Sequence, residues 1–283
     1  MVAADAGLYG PGSEAWRLNR EAFILLGAGP RALLLQLAHP LVAEGVDQHS
    51  NVRDDPWGRL DGTLRSYLRI VYGTTDDATR EIARLNRLHR SVAGPVRDAA
   101  ARETTGAETY RARDPELSLW VHATLIESTM AAYDAWYEPL PRERRAAFYL
   151  ETLPIGRGFG IPDGLLPADL DEFDLYWRAM LAPDGPVHVT PTARSLIATI
   201  LHPPFGPLPP MLYDWLLWPA LELLPARVRE EYGIPWGPGR AAVSTWLRSV
   251  FAFWGHLLPP SWRAMPPARA ADRRMQAATI DHT

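Results

Sequence analysis

Apolar residues recur every three or four positions along most of this 283-residue chain, the spacing of helices that bury one face. A helix is predicted over 14–26, capped by Ser13, with Glu14, Arg17 and Arg20 on its polar side. Gly27 to Gly29 interrupt it. Pro30 suits a first helical position, and the apolar run that follows reaches Pro40, which pushes His39 toward an extended or turn conformation. A short helix follows through about Gln48. Asp55 and Pro56 open the next, ending near Gly73, with Leu60, Leu64, Leu68 and Val71 as its apolar stripe. Arg59, Thr63, Ser66 and Ile70 lie on the adjacent face. Thr75 or Asp76 caps another helix through about Ala93, where Ile82, Leu85, His89 and Val92 share one side.

Asp114-Pro115 starts a long helix that contains His122, and Pro141 starts one reading RERRAAFYLET. A Gly- and Pro-rich loop, LPIGRGFGIPDGLLP, comes next, and Pro167 opens ADLDEFDLYWRAML. Residues 182–191 read as a loop with a short extended piece at 187–189. Further helices are predicted at about 191–201, 210–224, 241–257 and 267–279. With no repeat and no run of alternating strands, the expectation is an all-α fold: ten or so helices around one core, in a single domain over 1–283.

Composition narrows the chemistry. All 29 basic residues are Arg, and there is neither Lys nor Cys. That excludes a lysine Schiff base, a P-loop lysine, disulfides, iron–sulfur clusters and thiolate-ligated haem. The net charge of −4 gives no sign of nucleic acid as a partner. No basic and apolar leader is visible, and no apolar run reaches the roughly 18 residues of a spanning helix. The default expectation is a soluble cytoplasmic protein. The Trp-rich C-terminal third leaves association with a membrane surface open.

Four groups of residues invite a chemical reading. AFILLGAGPRALLLQLA has the look of strand, glycine turn and helix, with Asp47 twenty residues after Gly27, as a dinucleotide site would want. No second strand follows, so a helix–glycine–helix turn fits better. His89 on an apolar helix face is either a core histidine or a ligand to haem iron, which needs one protein ligand because the porphyrin supplies four nitrogens. No H-E-x-x-H or Glu-x-x-His pair offers a zinc or di-iron site. Arg59 and Thr63, four apart, share a helix face. They are either surface residues, with Thr63 bonded back to its own helix, or groups near the open side of a haem. His39, His49 and His122 read as partners fixing helix junctions, and Glu44 as a solvated helix residue or a base near the site. His188, His202, His256 and His282 carry no assigned role.

Four ordered motifs carry a resemblance: LQLAHPLVAEGVDQHS, DPWGRLDGTLR, LNRLHRSVAG and DPELSLWVHATLIES. They resemble the family of latex-clearing rubber oxygenases and MpaB-type oxygenases. The resemblance implies an oxygenase-like catalytic domain over about 15–260, with a short C-terminal helical extension, a globin-like core and haem b. Its proximal histidine falls on His89, with Arg59 and Thr63 beside the haem, and His39, His49 and His122 match positions typical of the wider family. Rubber oxygenases carry a Lys just before the Thr that can close the distal iron position. Gly62 stands there in this chain, so that side is expected to be open. The catalytic Glu of the rubber oxygenases lies near the region of Glu44. The implied function is a haem-dependent oxygenase using dioxygen on a small apolar substrate, isoprenoid-like or aromatic. The alternative is a haem-binding carrier or gas sensor of the same fold. The apolar helices at 210–224 and 241–257 read as core, a homodimer interface or a channel lining.

Overall fold

A computed structural model describes residues 4–201 and 210–280, so His202 and His282 lie outside the described residues. Residues 14–26 do not form one helix. α1 (Glu14–Asn19) starts at Ser13, whose hydroxyl accepts from the Trp16 amide at 3.1 Å. It stops because the C-terminal segment crosses there. The Met265 amide donates to the Arg20 carbonyl at 3.0 Å, and Glu21 pairs with Ala264 in an antiparallel bridge.

α2 (Ala22–Ala38) then runs unbroken through Gly27, Gly29 and Pro30. Both the expected break at Gly27–Gly29 and the strand–glycine–helix alternative are corrected by this. Gly27 serves packing: a β-carbon there would lie 2.2 Å from Cη2 of Trp136, at the end of α7 (Pro115–Trp136). Pro30 removes one helical hydrogen bond, and burial of Ile24, Leu34, Leu35 and Leu37 outweighs it. At His39 (φ −80°, ψ 121°) the chain turns by 101° into α3 (Pro40–His49), as the proline requires.

Asp55 caps α4 (Pro56–Tyr72), accepting from the Gly58 amide at 2.8 Å. A capping box of Thr74 and Asp77 starts α5 (Thr75–His89), one residue before the cap predicted from the sequence. α6 (Ala99–Thr105) sits between β1 (Ala93–Pro95) and β2 (Thr109–Arg111), which pair antiparallel with Gly94 opposite Tyr110. Three-residue strands are too short to register as alternation. α8 (Arg142–Gly158) continues through Pro154 into the predicted loop. Gly156 lets it close on His122, whose Nε2 would lie 3.3 Å from a β-carbon there.

α9 (Leu170–Met180) leads into an irregular stretch that buries Val187 and Val189. The remaining helices are α10 (Pro191–Leu201), α11 (Pro210–Glu222), α12 (Ala226–Glu231), α13 (Pro238–Leu257), α14 (Pro260–Arg263) and α15 (Pro266–Ile280). α7 runs between two apolar clusters. Leu119, Ala123 and Ile126 join Trp16, Tyr72, Phe148 and Phe173. Trp120 joins Leu34, Leu35, Val187, Leu196 and Tyr232. α15 packs into the first cluster through Ala268 and Ala271, and Asp272 accepts from Trp16 Nε1 at 3.2 Å and Arg20 at 3.0 Å. The fold is all-α in one domain. Among the described residues no single helix is long and apolar enough to cross a membrane.

Candidate functional site

α4 and α5 form an antiparallel hairpin that is closed at one end and open at the other. Near the turn, Leu68, Ile70, Val71, Tyr72, Ala78 and Ile82 are buried. Arg59 lies 13 residues before Tyr72 and His89 lies 14 after Thr75. At about 1.5 Å per residue both stand roughly 20 Å from the turn, at the same level. Here less is covered: Leu60 is 46% and Leu88 52% exposed. The hairpin is braced midway by Glu81, a buried carboxylate held by Arg84 Nε at 3.1 Å, with Arg69 at 3.4 Å. Hydrogen bonds from Arg84 hold its pKa down at about 2 against the opposing effect of burial. Arg84 also donates to Ser66 on α4 at 3.0 Å. On the far side Asn86 donates to the Gly158 carbonyl at 2.8 Å, and Gly158 packs on Ile82, drawing the end of α8 onto α5.

Three predicted residues meet at the open end. The half-buried His89 imidazole has its pKa lowered, first by desolvation and then by the charge of Arg59, so it is neutral at neutral pH with a free lone pair. Arg59 is exposed by area, yet desolvation lowers its pKa as well. Arg59 donates to Thr63 Oγ1, and the Thr63 hydroxyl donates to the Arg59 carbonyl at 2.8 Å. Thr63 therefore bonds back to its own helix and anchors the arginine. A β-carbon on Gly62 would meet nothing within 4 Å, so the wall beside these residues is open.

The other predicted residues lie elsewhere. Glu44 on α3 is buried, not solvated. Its carboxylate accepts from the Arg97 amide at 3.0 Å, the Asp98 amide at 2.9 Å and Gln48 Nε2 at 2.6 Å, fixing the start of α6. His49 is exposed, with Nε2 3.2 Å from the Ala93 carbonyl and its ring edge-on to Tyr110. His39 and His122 are buried, and burial pushes each pKa down to about 4, with the charge of Asp114 partly offsetting this at His39. His39 Nδ1 and His122 Nε2 have no hydrogen-bond partner among the described residues. Both are neutral imidazoles, but His122 is pressed against α8 at Gly156 and His39 is enclosed in the α2–α3 bend. His89 alone of the three has an accessible face.

One structural group escaped sequence reasoning. Arg31 is buried on α2, donating to the Leu223 carbonyl at 2.7 Å, to Ser128 Oγ at 2.8 Å and to Glu127. An arginine within an apolar run was the available signal, since a buried arginine requires partners. A cavity of about 420 Å³ between α1, α7 and α14 is lined by Arg20, Glu21, Tyr137, His256 and Arg263, and none of the predicted site residues borders it.

No three His, Asp or Glu side chains among the described residues converge as a metal site. A macrocycle carrying its own four donors needs only one, and the half-buried His89 would be the residue to supply it.

No solved structure matches the chain. Uncharacterized protein Mb2261 of Mycobacterium bovis and Uncharacterized protein Rv2237 of Mycobacterium tuberculosis are each 28% identical to it over 234 residues. Each match covers 80% of this chain and 87% of the relative. Residues 16–256 match the family described as ER-bound oxygenase mpaB/B'/Rubber oxygenase, catalytic domain. That span takes in the whole α4–α5 hairpin and its surroundings, and the chain belongs to this oxygenase family.

Proposed function

We propose that the protein is a haem b-dependent oxygenase, with His89 as the protein ligand to iron, acting with dioxygen on a small apolar substrate, isoprenoid-like or aromatic. The observation that carries this reading is the meeting of the half-buried, neutral His89 imidazole with Arg59 at the open end of one hairpin. The haem would supply redox chemistry with dioxygen. The chain's own residues would do the rest. Desolvation and the Arg59 charge keep the His89 lone pair available. Arg59 would offer charge-assisted hydrogen bonds to a haem propionate or to dioxygen. Thr63 steadies that guanidinium, and its hydroxyl can turn from the Arg59 carbonyl to the same ligand. Gly62 leaves the approach clear. Glu44, His39 and His49 act as positioning residues, Glu44 and His49 tying α3 to the segment after α5.

The test is the visible spectrum of the purified protein with a pyridine haemochrome assay. One b-type haem per chain, with a Soret band sensitive to imidazole or carbon monoxide, is expected. His89→Ala should lose it and His122→Ala should keep it. A His89→Ala protein with full haem and an unchanged Soret band would refute the assignment. One observation favours a carrier or gas sensor instead: the Glu44 carboxylate is occupied by three donors and is not free to act as a base. Reversible ligand binding without product from apolar alkenes or aromatics under dioxygen would select that reading.

A further inference from the structure

The cavity of about 420 Å³ that lies away from the α4–α5 hairpin follows from the crossing at Arg20. The Glu21–Ala264 bridge, and the Met265 amide on the Arg20 carbonyl, hold the α14 segment against the end of α1. Arg20 and Arg263 both line the space left beside this crossing. The end of α7 supplies aromatic surface. Tyr133 and Tyr137, one helical turn apart, stack with ring centroids 5.4 Å apart, and His256 stands edge-on to Tyr137 at 5.7 Å. Arg144 from α8 lies over the Tyr133 ring at 5.5 Å, and Arg263 lies over the Tyr137 ring at 5.9 Å. The cavity therefore has aromatic faces edged by guanidinium groups.

The charges here are paired, but unevenly. Glu14 serves two arginines, accepting from Arg17 at 2.8 Å and from Arg144 at 2.8 Å. Asp272 accepts from Arg20 at 3.0 Å. Glu21 lies 3.4 Å from Arg263 and accepts from the Tyr137 hydroxyl at 3.1 Å. Four guanidinium groups thus share three carboxylates. Glu138 also borders the cavity, but it is exposed and pairs with none of them among the described residues. A guanidinium carries five N–H donors in a fixed fork, and these pairs leave donors unused. Arg20 meets Asp272 through Nη2 and Arg263 meets Glu21 through Nη1, while the Nε of each is enclosed without a hydrogen-bond partner among the described residues. An enclosed N–H is costly until an acceptor meets it. An acceptor with one negative charge matches the surplus, whereas a dianion would exceed it with Glu138 at the border. A planar carboxylate suits the guanidinium fork, and stacked tyrosines suit a flat apolar body.

We propose that this cavity binds a small aromatic carboxylate, its carboxylate on Arg20 and Arg263 and its ring against Tyr133 and Tyr137. The volume is near the lower end for small-molecule pockets, which sets the ligand at one ring with a short side chain. Binding here is independent of the haem reading, because none of the residues proposed to serve the haem borders the cavity.

The experiment is isothermal titration calorimetry of the full chain with phenylacetate, its neutral counterpart phenylacetamide, acetate and inorganic phosphate. Phenylacetate is expected to bind once per chain, and each of the other three about tenfold more weakly or worse. Arg263→Gln and Tyr133→Leu, each with unchanged circular dichroism, should weaken phenylacetate by about tenfold. Arg269→Gln, outside the cavity, should bind as wild type does. In the wild-type protein, phenylacetate should also move arginine Nε–H nuclear magnetic resonance signals, which reports the contact without any substitution. Absence of binding at millimolar phenylacetate, or equal binding of phenylacetamide, would overturn the proposal. So would wild-type affinity in both Arg263→Gln and Tyr133→Leu. Phosphate bound more tightly than phenylacetate would overturn it too, since the aromatic faces would then contribute nothing.

Discussion

His39 and His122 are each enclosed with one ring nitrogen lacking a partner among the described residues, and this makes stability depend on pH. Burial pushes both pKa values down to about 4, while an unfolded histidine binds its proton near 6.5. Between those values the unfolded chain binds more protons than the folded one, so stability falls as pH drops through that window. Each histidine contributes roughly 3 kcal/mol of that loss at its acid end. Urea unfolding at several pH values between 7 and 4 should show the slope, and His122→Leu should flatten it by about half. An identical slope in wild type and variant would contradict the enclosed neutral imidazole. At this scale the sequence is readable where a residue acts alone and unreadable where it acts through the backbone. Arg59 and Thr63 announce themselves by a four-residue spacing. Glu44 looks like any helix-surface acid until the Arg97 and Asp98 amides arrive from another part of the chain.

Helix starts were legible because their signals are local: Ser13, Asp55 and Asp114 each cap the helix that follows. Helix ends and interruptions were not, because tertiary contacts decide them. Gly27, Gly29 and Pro30 read as a break and Pro154 as a loop, yet α2 and α8 run through. The local cost is a lost hydrogen bond and some backbone entropy. The gain is a continuous buried face that no window of sequence displays. Gly27 tests this account. Replacing a helical glycine by alanine ordinarily gains about 1 kcal/mol, but here the new methyl would meet Trp136, and overpacking of this kind costs about 1–3 kcal/mol. Gly27→Ala should lower stability in urea, and Gly27→Ala/Trp136→Leu should lose less than the two single changes together. A Gly27→Ala variant at least as stable as wild type would refute the close approach of α2 and α7.

Across the whole molecule, fold class was readable from periodicity and the arrangement of helices was not. Nothing in ARAADRR signals that Ala268 and Ala271 complete a cluster begun at Tyr9, or that Asp272 reaches Trp16 and Arg20. Contacts so distant along the chain leave no periodic trace. The candidate site was half legible for the same reason. Its residues could be named, but their meeting depends on α4 and α5 being nearly equal in length on either side of the Thr74 turn.

That hairpin also grades local stability from one end to the other. Its turn is locked between Tyr72, Ala78 and Arg274, which donates to the Tyr72 carbonyl at 3.1 Å, whereas its far end is held by few buried contacts. Amide hydrogen exchange should therefore be slow at 68–72 and 78–82, opening only with the whole domain, and fast at 57–63 and 85–89 through local fraying. Uniform protection along both helices would contradict this gradient. A bulky planar guest could then enter or leave by loosening the last turns of two helices, on the timescale of fraying, without the core having to unfold.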